Sequence, residues 1–200
     1  MQTATVRDCD ISYRQVGSGT DIVWGHGLSS SMVDEDDLGF VDWSQLDNQY
    51  RILRYDARGH GESSSTSGLI GYSWQNLARD QLALADALGI GRYVAAGASM
   101  GAATALHAAV LAPKRIRALV LVIPPTGWAT RAAQVGVYGT MADLIEAGNH
   151  AELLAGSKSV PPPDPVAQLP AWGERFERKL ATADPVRLAR VFRGAGTADL

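Results

Sequence analysis

Five residues in the middle of the chain, Gly97-Ala98-Ser99-Met100-Gly101, restrict its fold more than any other segment. They follow an apolar run at 93–96 and open an Ala-rich stretch that halts before Pro113. G-x-S-x-G between a strand and a helix puts the serine on a very tight turn. Side chains two residues to either side would collide there, and glycine at both positions removes the collision. The hydroxyl then stands above a sheet at a helix N-terminus, where the dipole and free N–H groups favour developing negative charge.

The surrounding pattern supplies the strands and helices that such a turn needs. Segments 11–16 and 21–24 read as strands, joined by Gly17-Ser18-Gly19-Thr20, whose residues tolerate positive φ. Segment 51–55 reads as another strand, followed by the turn Arg58-Gly59-His60-Gly61. The runs 93–96 and 118–123 are continuously apolar, as expected of strands buried on both faces of a parallel sheet. A helix over 73–88 carries Leu77, Leu82, Leu84, Ala85 and Leu88 on one side and closes at Gly89. This alternation predicts βαβ units and an α/β fold.

Beyond residue 125 the strand signals stop. Residues 129–155 carry Ala, Leu and Met at helical spacing. Asp164-Pro165 and Asp184-Pro185 each mark a helix start, and Gly194 is expected to close the last helix. The predicted organisation is an α/β core over 1–125, a helical cap over 126–195, and the start of a further core segment at 196–200.

Composition excludes several classes. Eighteen Lys+Arg against 21 Asp+Glu leave a net charge of -3, with no basic excess for a nucleic-acid backbone. The single Cys9 forms no disulfide framework or cysteine-based metal cluster, and it fits a reducing cytoplasm. The acidic run Asp34-Glu35-Asp36-Asp37 lacks partnered ligands elsewhere and reads as a solvated turn. No apolar run reaches the roughly 18 residues of a membrane span, and no secretory leader pattern is visible. The expectation is a soluble, cytoplasmic protein without metal or organic cofactor.

Three segments together resemble α/β-hydrolase-fold esterases: GHGL at 25–28, YDARGHGES at 55–63 and GASMG at 97–101. The resemblance covers about residues 6 to 125 and is nearest to small bacterial lactonases, esterases and cofactor-free perhydrolases. It implies that Ser99 is a nucleophile forming an acyl-enzyme, since relatives using an elbow aspartate would show Asp at this position. It also implies an oxyanion hole from the N–H groups of Leu28 and Met100. Gly97, Gly101, Gly27 and His26 would support elbow and loop, with His26 bracing rather than catalysing and His60 architectural.

The family's chain order places an acid and then a histidine after the nucleophile. His26 and His60 precede Ser99, His107 lies within the following helix, and His150 sits in the predicted cap. No carboxylate follows the 118–123 strand directly; Asp143, Glu146 and Glu152 fall on predicted cap helices. The expectation is that the C-terminal strands, acid and base are missing, leaving a truncated or inactive hydrolase. Strand 118–123 would then be a bare apolar edge inviting self-association. The full protein would cleave a small apolar ester, lactone or thioester, with Trp128, Tyr138, Met141 and Trp172 lining the acyl pocket. The alternatives are a non-catalytic binding protein of the same fold and a perhydrolase.

Overall fold

The computed structural model describes residues 1–39, 41–159 and 170–197. A six-stranded sheet has the order β1-β2-β4-β3-β5-β6. Its strands are β1 (Gln2–Val6), β2 (Cys9–Gly17), β3 (Thr20–Gly25), β4 (Tyr50–Tyr55), β5 (Tyr93–Ala98) and β6 (Ile116–Val122). The first three pairings in this order are antiparallel, antiparallel and parallel; β3–β5 and β5–β6 are also parallel. Although the turn at 17–20 joins β2 to β3 in sequence, β4 lies between them in the sheet. Gly17 and Gly19 take φ of 81° and 105° in that turn. The strand at 2–6 is not among the sequence expectations; β1 forms by closing a hairpin through Arg7, at φ 55°.

The helices that follow strands are α1 (Met32–Leu38), α2 (Trp74–Ala87) and α3 (Met100–Leu111). Gly89, at φ 68°, lies just past the end of α2 as expected. The face of α2 carrying Trp74, Leu77 and Leu84 packs with Val23, Leu53 and Tyr93 of the sheet in one buried core. After β6 come α4 (Trp128–Ala132), α5 (Gln134–Glu146), α6 (His150–Ser159), α7 (Pro170–Thr182) and α8 (Pro185–Gly196). These helices form a second cluster around Ile145, Leu153, Leu180, Val191 and Phe192. Leu28 and Tyr138 touch both clusters. The proposed helix start at Asp164-Pro165 lies outside the described residues.

Three sequence expectations need correction. Gly194 does not close α8, which continues to Gly196. A Cβ at Gly194 would run into Tyr72, so that glycine permits close packing rather than a helix stop. Asp34–Asp37 is no solvated turn: it lies in α1, capped by Ser31, whose hydroxyl accepts from Asp34 N–H at 3.1 Å. Finally, the apolar run at 118–123 is not buried on both faces. Its strand is the edge of the sheet, with Val120 48% and Ile123 74% exposed.

The open edge carries a prediction. Among the described residues β6 pairs on one side only, with β5, and exposes Leu119, Val120 and Val122, a template for another chain. We expect the 200-residue chain to self-associate through it. Val120→Lys should shift the population toward monomer on size-exclusion chromatography with light scattering; an unchanged oligomer would argue against this edge.

The acids of α1 carry another. Asp34 bonds Lys179 of α7 at 2.9 Å, joining the sheet side to the C-terminal helices. Burial pushes its carboxyl pKa up, but Lys179 and the Ser31 hydroxyl outweigh it, and the result lies below the ordinary value. A lowered folded pKa stabilises above the unfolded value near 3.8, and the gain fades as pH falls through the folded one. Asp34→Asn should therefore cost about 1 kcal/mol in urea melts at pH 7 and progressively less in acid.

Candidate active site

The tip of β5 and the start of α3 build the centre of the site. Ser99 stands between them at φ 50° and ψ -109°, a backbone conformation that non-glycine residues seldom adopt. The turn is pinned on two sides. Ser99 N–H donates to the Val122 carbonyl of β6 at 2.9 Å, and the Ser99 carbonyl accepts from Ala103 N–H at 3.1 Å. Among the described residues the Ser99 hydroxyl has no hydrogen-bond partner.

Glycines make this geometry possible by backbone contact. A Cβ on Gly101 would run into the Gly25 carbonyl at the end of β3. One on Gly97 would run into Gly101 and come within 2.7 Å of the Gly25 oxygen. Neighbouring side chains could rotate away; a carbonyl fixed in a sheet cannot. The sequence pattern gives the need for glycine at both positions, while the structure supplies the opposing group.

The loop after β3 runs alongside. A Cβ on Gly27 would lie 3.8 Å from Ser99 Cβ, so this backbone approaches Ser99 without a side chain between. His26 is 1% exposed, and both of its ring nitrogens are engaged. Ala57 N–H donates to Nε2 at 2.9 Å, which makes Nε2 the unprotonated nitrogen. Nδ1–H therefore donates to the Gly27 carbonyl at 2.8 Å. The ring ties the loop to the turn after β4 and has no free lone pair for a serine proton.

Leu28 follows, and among the described residues its N–H makes no hydrogen bond. Met100 is the first residue of α3, so its N–H has no intrahelical acceptor. One of these N–H groups belongs to the loop after β3 and the other to the elbow.

The other predicted residues fall in the turn after β4, in α3 and in the later helices. His60 is buried in the turn after β4, its Nδ1 donating to the Arg58 carbonyl at 3.0 Å and its ring 5.0 Å from that of His26. Its pKa is held well below the ordinary value by burial, with His26 adding. His107 lies in the second turn of α3 and His150 at the start of α6. Tyr138 packs 6.2 Å from Phe192, centroid to centroid, and below the Arg131 guanidinium; Met141 packs against the helical cluster. The side chains of Trp128 and Trp172 lie outside the described residues. Among the described residues no group of three or more His, Cys, Asp or Glu side chains could hold a metal, and no helix is long and apolar enough to cross a membrane.

Arg131 is the residue that sequence reasoning missed. It is 3% exposed, its guanidinium lies 3.9 Å over the Trp74 ring, and it donates to the Ala195 carbonyl. It thus holds α4 and α8 against α2. A lone arginine in a helical stretch carries no sequence signal for that role.

Known proteins resemble this chain in sequence and in fold. A family profile described as alpha/beta hydrolase fold matches residues 26–142. A 3-oxoadipate enol-lactonase of Acinetobacter baylyi is 35% identical over 106 residues, 50% of this chain and 38% of that protein. A non-heme chloroperoxidase of Streptomyces lividans is 35% identical over 133 residues, 62% of this chain and 46% of that protein. The crystal structure of a hydrolase from Pseudomonas aeruginosa superimposes with a TM-score of 0.77 at 28% identity, covering 99% of this chain and 73% of that one. The chain thus spans less than half the length of these two curated relatives. The profile takes in more than half of the chain, including the loop at His26, the turn after β4 and the elbow at Ser99. On that match and the sheet order, the chain belongs to the α/β-hydrolase fold family.

Proposed function

We propose that this chain forms the nucleophile and oxyanion half of a serine hydrolase acting on a carboxylic ester, lactone or thioester. Ser99 Oγ attacks the carbonyl carbon while a base takes its proton. Leu28 and Met100 N–H groups hold the resulting oxyanion, and collapse expels the alcohol or thiol to leave an acyl-enzyme. Water then attacks the acyl-enzyme and releases the acid. The base and its orienting carboxylate lie outside these 200 residues, and 126–195 caps the site.

One observation carries it: Ser99 is held in a costly backbone conformation with its hydroxyl uncommitted, beside the bare backbone of Gly27. The similarity to an enol-lactonase supports a cyclic or small ester as substrate. The similarity to a chloroperoxidase favours a variant in which hydrogen peroxide replaces water as acyl acceptor. Peroxide-dependent formation of a peracid from an ester would separate the two.

The test is labelling by a fluorophosphonate probe, in this chain and in a form extended beyond Leu200. Labelling mapped to Ser99 and absent from Ser99→Ala supports the enzyme. A folded, extended form that stays unlabelled would instead support a non-catalytic binding protein.

A further inference from the structure

The segment that carries Leu28 is a strained turn. Ser30 N–H donates to the Gly27 carbonyl at 3.1 Å, which puts Leu28 and Ser29 at the tip. Ser29 takes φ of 57°, in the left-handed region that suits glycine and is costly for serine. Backbone in such a region keeps its shape only where the surroundings impose it.

The turn after β4 imposes it at both ends. At the near end Ala57 N–H fixes the His26 ring, whose Nδ1–H donates to the Gly27 carbonyl. At the far end stands Asp56, 0% exposed. One of its carboxylate oxygens accepts from Met32 N–H at 2.7 Å and the other from Glu62 N–H at 2.9 Å. Met32 opens α1, so its N–H has no acceptor within the helix. The Asp56 backbone is held in turn: its N–H donates to the Ser12 carbonyl of β2 at 2.9 Å, and its carbonyl accepts from the Ser63 hydroxyl at 2.6 Å. A Cβ on Gly61 would run into the carboxylate, so the side chain is packed against bare backbone. Residues 56 and 57, adjacent in the chain and anchored to the sheet, thus grip residues 26 and 32 on either side of the Leu28 turn.

We infer that Asp56 is a positioning residue for the Leu28 N–H, an inference that rests on the oxyanion role proposed for that group. It touches no reacting atom. By holding Met32, its carboxylate keeps the 27–30 turn from relaxing out of the left-handed conformation at Ser29 and carrying the Leu28 N–H away from the oxyanion. A displacement of about 1 Å at such a group costs on the order of 10²-fold in rate. Two donors converge on this one side chain, so a carboxylate is required: an amide would turn its own N–H toward one of them.

The experiment has two readouts. On the 200-residue chain, hydrogen–deuterium exchange in Asp56→Asn should speed up by about tenfold at 28–32 and stay unchanged in α3. On the form extended beyond Leu200, the rate of Ser99 labelling by a fluorophosphonate, whose phosphoryl oxygen takes the oxyanion's place, should fall by about 10- to 100-fold. Adding Ser29→Gly, which removes the left-handed penalty, should restore both toward the unsubstituted protein. Ser29→Val with Asp56 intact should slow labelling likewise, because a β-branched residue resists positive φ, and it tests the same turn if Asp56→Asn does not fold. Faster exchange throughout the chain, or no rescue by Ser29→Gly, would make Asp56 merely structural and overturn the assignment. Equal labelling rates of the unsubstituted protein and Asp56→Asn would overturn it alone. A folded, extended, unsubstituted protein that does not label would overturn the serine-hydrolase proposal and this assignment with it.

Discussion

Gly101→Ala is expected to destabilise the chain by about 3 kcal/mol or more, or to prevent folding, with a correspondingly lower urea midpoint. The added methyl would enter the space of the Gly25 carbonyl, and both backbones are fixed, one by the sheet and one by α3. Overpacking usually costs 1–3 kcal/mol because side chains shift aside; here no side chain is available to shift. Gly27→Ala is the matched control. Its Cβ would meet Ser99 Cβ and the Ala98 oxygen only at 3.8 Å, ordinary contact, so stability should change little. Equal effects at the two glycines would show that the close approach of β3 and α3 is not what Gly101 serves.

Ser99→Ala should reduce ester turnover of the catalytically competent protein by on the order of 10⁶, leaving the residual rate that binding and the oxyanion donors provide. Ser99→Gly should abolish activity as fully and yet raise stability. At φ 50° and ψ -109° the serine backbone stores strain that glycine does not, on the order of 1–2 kcal/mol. A gain in the urea midpoint of Ser99→Gly over Ser99→Ala is the measurement. If glycine gave no gain, the elbow would be unstrained and the argument from conformation to chemistry would lose its basis. The pairing of lost activity with gained stability is the mark of a residue kept for function.

Much of the fold was legible because its signals are local. The run 93–96, the stop before Pro113 and the glycines two residues either side of Ser99 are short-range facts, and they give β5, the elbow and α3. Asp184-Pro185 likewise marks α8, where Asp184 accepts from Val186 and Arg187 N–H. Signals that depend on distant partners mislead. The acids at 34–37 look solvated until Arg54 and Lys179 are placed beside them. Gly194 looks like a helix end until Tyr72 is placed against it. For the same reason Arg131 could not be found: its meaning lies in Trp74 and Ala195, 57 and 64 residues away in the chain.

The sequence alone determined that a serine would sit on a glycine-flanked strand–helix turn, because steric exclusion at such a turn acts within five residues. It also determined the α/β class, because strand and helix periodicities are local. Only the tertiary structure decided which nitrogen of His26 carries the proton, since Ala57 N–H approaches from another strand's turn. It decided that β4 inserts between β2 and β3, and that β6 is left at the edge. Those outcomes rest on contacts between segments far apart in the chain, and residue patterning carries no record of such pairings until the backbone brings them together.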